Sequence, residues 1–285
     1  MPLYFSTSCL SKYLNFPQIL DFYNNLGIKH VELGVCLDPT LDIGSKTINE
    51  YNFKYIVHQL FPPSEKPFII NLASKNNSIL RKSLNQIKRS IDFCHNCNIR
   101  FFSFHGGFMG DPNDNLRFDF SKLSDYEKSF EIFKNSIIEI LNYSENKDVK
   151  IAIENNVLAD YNLINGKNKI FLMCEESEFK RIFREINSKN LAILLDLGHL
   201  KVTSNLLKFD AENFVYNLRK KIFALHIHDN NGLKDEHKPV KNNSWVLNMV
   251  NKYFKNKEIP IVVESELKNK EEFSRYKSYI SNLIF

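Results

Sequence analysis

Eight short apolar segments, each separated from the next by a longer stretch with helical periodicity, are what most limits how this chain can fold. They run Leu3 to Ser6, His30 to Leu33, Tyr55 to His58, Arg100 to His105, Val149 to Glu154, Leu191 to Asp196, Ile222 to His228 and Ile259 to Glu264. Between them apolar residues recur at three- and four-residue spacing, as in Leu80, Leu84, Ile87, Ile91 and Cys94, or Phe130, Phe133, Ile137, Ile140 and Leu141. Segments apolar on both faces and joined by helices predict parallel strands, because a parallel connection needs a crossover and the crossover helices then cover the sheet. Eight such units in 285 residues predict an α/β fold of the closed (β/α)8 TIM barrel class. An open doubly wound sheet is the competing arrangement. Its glycine-rich phosphate turn after the first strand is missing, however, since the chain there reads Ser6-Thr-Ser-Cys-Leu10.

No linker rich in Pro, Gly or Ser interrupts the chain, so residues 1–285 are read as a single domain. Three long loops follow strands: Gln59 to Ala73 with Pro62, Pro63 and Pro67, Gly106 to Ser121, and Asn155 to Lys169. Such loops on one barrel face are where specificity normally resides. A composition of 43% apolar and 25% charged residues is that of a soluble globular protein. The net charge of +5 fits an anionic substrate such as a sugar phosphate or nucleic acid without requiring one. Five cysteines (Cys9, Cys36, Cys94, Cys97 and Cys174) form an odd set without regular spacing, which argues against a disulfide framework and for a reducing compartment. Cys94-His-Asn-Cys97 lies inside the helical pattern Leu80 to Cys97 and has no second pair, so it reads as packing, not as a zinc or redox motif. With no signal-like N-terminus and no apolar run near the ~20 residues needed to span a bilayer, the expectation is a cytoplasmic protein with no membrane partner.

The second constraint is where the apolar segments stop. Val57-His58, Phe104-His105, Ile153-Glu154, Asp196-Leu-Gly-His199 and Val263-Glu264 each end at a side chain that can hold a metal or move a proton. The seventh segment delivers His226 and His228 and runs on through Asp229 to Asp235 and His237. In a barrel the C-terminal strand ends share one rim, so these residues converge although they are far apart in sequence. A lone strand-ending Glu or His is more often a satisfied polar group capping the next helix. For the set the balance reverses, because Glu154, Asp196 and Glu264 gathered without a cation would repel one another and be costly to desolvate. With His226 they make an oxygen-rich donor set suited to Mn, Mg, Co or Zn and not to soft metals. Two carboxylates facing each other across a metal also suit proton transfer next to a carbonyl. Alternation points His226 and His228 the same way, inward, and leaves Asp229 at the strand end, where it could orient a histidine. Of eight histidines only His30 and His95 fall outside this pattern.

These pieces resemble the xylose isomerase-like barrel superfamily, which holds sugar isomerases, ketose 3-epimerases and the endonuclease IV class of apurinic-site endonucleases. The matching motifs are His30-Val-Glu-Leu-Gly34, Val57-His58 with Ile70-Asn-Leu-Ala-Ser74, Ser103-Phe-His-Gly-Gly107, Ile153-Glu-Asn155, Leu195-Asp-Leu-Gly-His199, Leu225-His-Ile-His-Asp-Asn230, Asp235-Glu-His237 and Val263-Glu264. They follow the family's order over nearly the whole chain. The resemblance implies a divalent metal on Glu154, Asp196, His226 and Glu264, with Glu154 and Glu264 as acid/base pair, His199 against substrate, and Asn155, His228 and Asp229 behind the ligands or at the substrate. In the endonuclease branch two or three zinc ions would use His58, His105, Glu154, Asp196, His199, His226, Asp235, His237 and Glu264.

Departures separate the branches. The loop after Asp235-Glu-His237 lacks the family's usual glycines and reads Lys238-Pro-Val-Lys-Asn-Asn-Ser-Trp245, and the loop after His58 lacks the tyrosine-bearing turn that the endonucleases wedge into DNA. Basic residues are scattered, without a stripe of cations and aromatics. The expectation is therefore a metal-dependent isomerase or epimerase of a sugar, sugar phosphate or related polyol, working by proton transfer through an enediolate on a carbohydrate substrate. Nucleic acid is a partner only under the apurinic-site endonuclease alternative. A non-catalytic barrel subunit is the third reading, and a homo-oligomer is compatible with all of them.

Overall fold

The computed structural model describes residues 1–34, 43–64, 66, 68–113 and 117–284. Cys36 and Pro67 lie outside the described residues. Eight parallel strands close into a barrel in chain order: β1 (Leu3–Ser6), β2 (His30–Leu33), β3 (Lys54–His58), β4 (Phe101–His105), β5 (Lys150–Glu154), β6 (Leu191–Asp196), β7 (Ile222–Ile227) and β8 (Ile261–Val263). The helices are α1 (Phe16–Asn25), α2 (Ser45–Asn49), α3 (Asn77–Asn96), α4 (Tyr126–Ser144), α5 (Glu176–Glu185), α6 (Leu197–Leu207), α7 (Ala211–Leu218), α8 (Trp245–Tyr253) and α9 (Lys270–Ile284). β1 pairs with both β2 and β8, so no edge is left and the doubly wound alternative falls. All eight expected strands are present, three with the expected bounds and the others displaced by one or two residues at an end. The longest helix, α3, buries Leu84, Ile87, Ile91 and Cys94 as the periodicity predicts, and Cys94 and Cys97 are free thiols. Among the described residues no helix is long and apolar enough to cross a membrane.

Alternation along each strand decides which side chains see the interior. Val31, Val57, Phe102, Phe104, Ile151, Ile153, Ile193, Leu195, Leu225, Ile227 and Val263 join the main core between strands and helices. On the other face, Tyr4, Ile56, Phe101, Ala152, Ala192, Leu194, Ala224 and Val262 form a separate small core, a layer that fills the barrel as such interiors require. One pleat repeat further toward the C-terminal ends, the same inward faces carry Ser6, His58, Ser103, Glu154, Asp196, His226 and Glu264. An apolar plug thus supports a polar layer two residues above it.

Candidate metal and active site

The junction of β6 and α6 shows how local structure places the ligands. Asp196 ends the strand and caps the helix, its Oδ1 accepting the His199 N–H at 2.7 Å, which leaves Oδ2 facing the barrel interior. Asn155, next to Glu154, latches onto the same residue: its Oδ1 accepts the Asp196 N–H at 2.8 Å and its Nδ2 donates to the Asp196 carbonyl at 3.0 Å. The spacing Asp196-Leu-Gly-His199 therefore puts an N-cap and its third helical residue on one site. Gly198 has its own reason. A Cβ there would overlap His228 Cε1 and stand 2.5 Å from both ring nitrogens.

Four histidines are built alike. His226 Nε2 lies 2.8 Å from Glu32 Oε2, His199 Nδ1 2.9 Å from the Asn155 carbonyl, His237 Nδ1 3.0 Å from the Glu264 carbonyl, and His58 Nδ1 3.0 Å from Ser103 Oγ. Carboxylate and carbonyl oxygens only accept, and the Ser103 hydroxyl already donates to the Val57 carbonyl at 3.4 Å, so in each ring that nitrogen carries the proton. The other nitrogen then turns toward carboxylate oxygens: His226 Nδ1 toward Glu154 at 3.2 Å and Glu264 at 3.3 Å, His58 Nε2 toward Glu154 at 3.3 Å, His199 Nε2 and His237 Nε2 toward Asp235 at 3.3 and 3.1 Å. A lone pair aimed at a carboxylate is repulsive unless a proton or a cation lies between them. Anchoring one imidazole nitrogen to a protein acceptor is also how metal-binding histidines are oriented.

The buried polar inventory agrees. Both Glu154 oxygens, His226 Nδ1, His228 Nδ1, Asp235 Oδ1 and Glu32 Oε1 are buried without a hydrogen bond, an arrangement whose cost a cation would offset. The donor atoms fall into overlapping sets: His58, His105 and Glu154; Glu154, Asp196 and His226; and His199, His228, Asp235 and His237. Glu154 belongs to two of them, its Oε2 turned to His58 and His105 and its Oε1 to His226. Burial pushes the Glu154, Asp196 and Glu264 carboxyls up, but the neighbouring imidazoles outweigh it. Glu154 is held below the usual range by His105, His58 and His226, Asp196 by His199 and His228, and Glu264 by His226 and His237. Burial pushes His105 down to about 4 despite Glu154. It also opposes the charged form of His237, which Asp235 and Glu264 nevertheless raise to about 9.

Every residue expected at the rim is there: His58, His105, Glu154, Asn155, Asp196, His199, His226, His228, Asp235, His237 and Glu264. His226 and His228 both face inward and are fully buried. Asp229 does not orient a histidine. Its Oδ1 receives Lys201 Nζ at 2.7 Å and the Asn230 N–H at 2.9 Å, because the chain turns after His228 and carries this carboxylate toward α6. Glu32, fully buried against His226, and Ser103, behind His58, had no role assigned from sequence. Glu32 precedes the end of its strand, and its signal is an acid on an inward-facing position. His30 and His95 lie elsewhere, His30 against the Tyr4 ring and His95 on the Lys147 carbonyl. Above the donors opens a cavity of about 950 Å³ onto which His105, His199, Asp235, His237 and Glu264 face.

A family model described as xylose isomerase-like TIM barrel matches residues 20–252. An uncharacterized protein of Methanocaldococcus jannaschii is 28% identical over 214 residues, 74% of this chain and 70% of that protein. Among solved structures, a D-tagatose 3-epimerase-like protein superposes with a TM-score of 0.75 at 19% identity, covering 100% of this chain and 97% of the other. D-psicose 3-epimerase from Clostridium cellulolyticum superposes with a TM-score of 0.71 at 10% identity, covering 100% and 99%. At these identities the likeness to solved structures is one of fold.

Proposed function

The chain belongs to the xylose isomerase-like TIM barrel family, and from that premise we propose that it is a metal-dependent isomerase or epimerase of a sugar, sugar phosphate or related polyol. The observation that carries the reading is the pair of carboxylates Glu154 and Glu264, whose oxygens flank one nitrogen of His226 at 3.2 and 3.3 Å beneath a cavity wide enough for a sugar. Glu154, Asp196, His226 and Glu264 would hold the ion, Mn, Mg, Co or Zn by the oxygen-rich chemistry of the set. When bound, a divalent ion polarises a carbonyl oxygen and stabilises charge on it. The chain's own residues supply the rest. One carboxylate takes the proton from the carbon beside the carbonyl, giving an enediolate, and the other returns a proton to that carbon or its neighbour. His199, which faces the cavity, is placed to hydrogen-bond a substrate hydroxyl. The sugar epimerase named among the solved structures of the same fold supports the substrate class.

Incubating the metal-replete protein with ketoses, aldoses and their phosphates in D2O tests the proposal through deuterium incorporation at carbon. Glu264→Gln should lower turnover by about 10²–10⁴-fold, the usual scale for a lost acid or base, with the fold intact. Retained activity would remove Glu264 from the role.

A second reading rests on a different observation, the spread of the donors over several sets, two of which share Glu154. A multinuclear zinc site of that kind suits hydrolysis of a phosphodiester, as in the apurinic-site endonuclease branch. The cavity wall weighs against it, since among the described residues Arg117 is the only Lys or Arg lining the cavity, and a site built for nucleic acid needs several phosphate contacts. About three zinc per chain, with nicking of an abasic duplex lost in His105→Ala, would favour hydrolysis over isomerisation.

A further inference from the structure

The mouth above the carboxylates is walled by rings. From it we infer that the substrate carries an aromatic or other apolar group attached to its sugar-like head, an inference that rests on the function proposed above. Phe68, Phe108, Phe118, Phe120, Tyr161 and Phe171 line the cavity together with the site's own carboxylate and imidazole groups. Its volume of about 950 Å³ is near the upper end of the ~300–1,000 Å³ range of small-molecule pockets, more than a six-carbon sugar needs. The aromatic part is fixed in advance. Phe108, Phe118 and Phe171 form a triangle with centroids 5.5 to 6.0 Å apart. The loops bearing Phe108 and Phe171 are joined as an antiparallel bridge, and Asn71 holds Phe108 by both its N–H and its carbonyl. Phe120 and Tyr161, at 61% and 68% exposure, stand at the rim with apolar area still to be covered.

Several polar groups of the same wall are already engaged. The Asn156 amide donates to the Gly107 and Leu172 carbonyls, the Gln59 side-chain carbonyl receives the His105 N–H, and that of Asn162 receives the Ala159 N–H. Hydroxyls of a second sugar unit or of a long polyol placed here would lose water and find few replacements, which is costly. Arg117, the single Lys or Arg of the lining among the described residues, does not make a polyphosphate or nucleic-acid track. A ring or alkyl group, by contrast, would lie against preformed ring faces in the separations that aromatic pairs favour. The barrel rim therefore binds the head through its carboxylates and imidazoles, and the phenylalanine wall selects what is attached to it.

The test compares three ketose probes with the same free-carbonyl head, D-fructose carrying a methyl, a phenyl or a glucosyl group on O6, by calorimetric titration of the metal-replete protein. Expected is binding of the phenyl compound at least ten-fold tighter than either of the others, with most of that preference lost in Phe120→Ala and Phe118→Ala. Phe120 is exposed, so its variant folds even if changes deeper in the triangle do not. Equal affinities, the glucosyl ketose matching the phenyl ether, or no detectable binding of the phenyl compound would each overturn the inference. Turnover is read separately by deuterium incorporation. A phenyl preference without hydrogen exchange would sink the isomerase reading and leave the apolar subsite standing.

Discussion

Replacing Gly198 by alanine sets two opposite effects against each other. Gly198 is the second residue of α6, and alanine in a helix is favoured over glycine by about 0.5–1 kcal/mol. Judged by helix propensity alone, Gly198→Ala should stabilise the protein. The new Cβ, however, would overlap His228 Cε1 and lie 2.5 Å from both ring nitrogens. The ring cannot swing clear. His228 is fully buried, stacked on His237 with centroids 3.9 Å apart at 13°, and its Nε2 is 3.1 Å from Asp196 Oδ2. Forcing atoms into such a packed site costs about 1–3 kcal/mol, so the clash at least cancels the propensity and the net effect is a loss of up to roughly 2.5 kcal/mol.

The double variant separates the terms. With His228→Ala the obstruction is gone, and Gly198→Ala should there give back the ~0.5–1 kcal/mol of propensity. Urea unfolding of the four proteins, all as metal-free chains, reads both signs, and the coupling between the two substitutions should equal the clash, about 1–3 kcal/mol. Ion binding supplies an independent readout, because displacing His228 disturbs the set formed with His199, Asp235 and His237. If Gly198→Ala has the same sign in both backgrounds, the reasoning from the steric conflict fails.

Glu32→Gln should leave the fold intact and weaken metal binding ten- to a hundred-fold, the usual effect of altering the partner that orients a ligating histidine, measured by competition with a chromophoric chelator; unchanged affinity would mean that Glu32 does not set the ring. Removing metal with chelator should lower the melting temperature, since a free ion at a hundred times its Kd adds about 2.7 kcal/mol, or roughly 5–11 °C for a chain of this size; an unshifted melting curve would contradict a metal-coupled site. Away from the site, burial raises Glu178 to about 7 even though its Oε2 accepts the Cys174 and Glu175 N–H groups. Unfolded, this group has a pKa of 4.5, so between the two values the folded chain holds more protons and stability falls as pH rises. From pH 5 to 8 the wild type should lose on the order of 3 kcal/mol relative to Glu178→Gln, checked by urea unfolding at both pH values, with parallel profiles refuting the shift.

Much of the site was legible in the sequence because of a simple geometric relation. The strand-ending residues His58, Glu154, Asp196, His226 and Glu264 stand two positions beyond Ile56, Ala152, Leu194, Ala224 and Val262, the apolar plug of the barrel. A period of two thus carries the polar layer as surely as it carries the core. Glu32 carries no such mark, because it lies one residue before the end of β2, although its inward face brings it to the same site. Asp229 was misplaced for a different reason: its partner Lys201 comes from the second turn of α6, a contact no local pattern announces. The aromatic wall was out of reach altogether, since Phe108 and Phe171 lie in loops after different strands and meet only through the backbone bridge between those loops.

The misplaced Asp229 still bears on the site. Its backbone exchanges both hydrogen bonds with Lys238, at 2.7 and 2.8 Å, while Glu266 N–H donates to the His237 carbonyl at 2.8 Å. The loop that presents Asp235 and His237 is thereby closed at its base and fastened to the segment after β8, so the outer donors are as firmly placed as the strand-borne ones. Within that frame the two acid/base candidates are not equivalent. The Glu154 side chain is fully buried among imidazoles, with both oxygens committed to donor sets, whereas Glu264 retains 12% exposure and faces the cavity. A substrate entering from the phenylalanine-lined mouth meets Glu264 first. Glu154 joins two of the donor sets, and Glu264 is the carboxylate of the pair that faces the cavity.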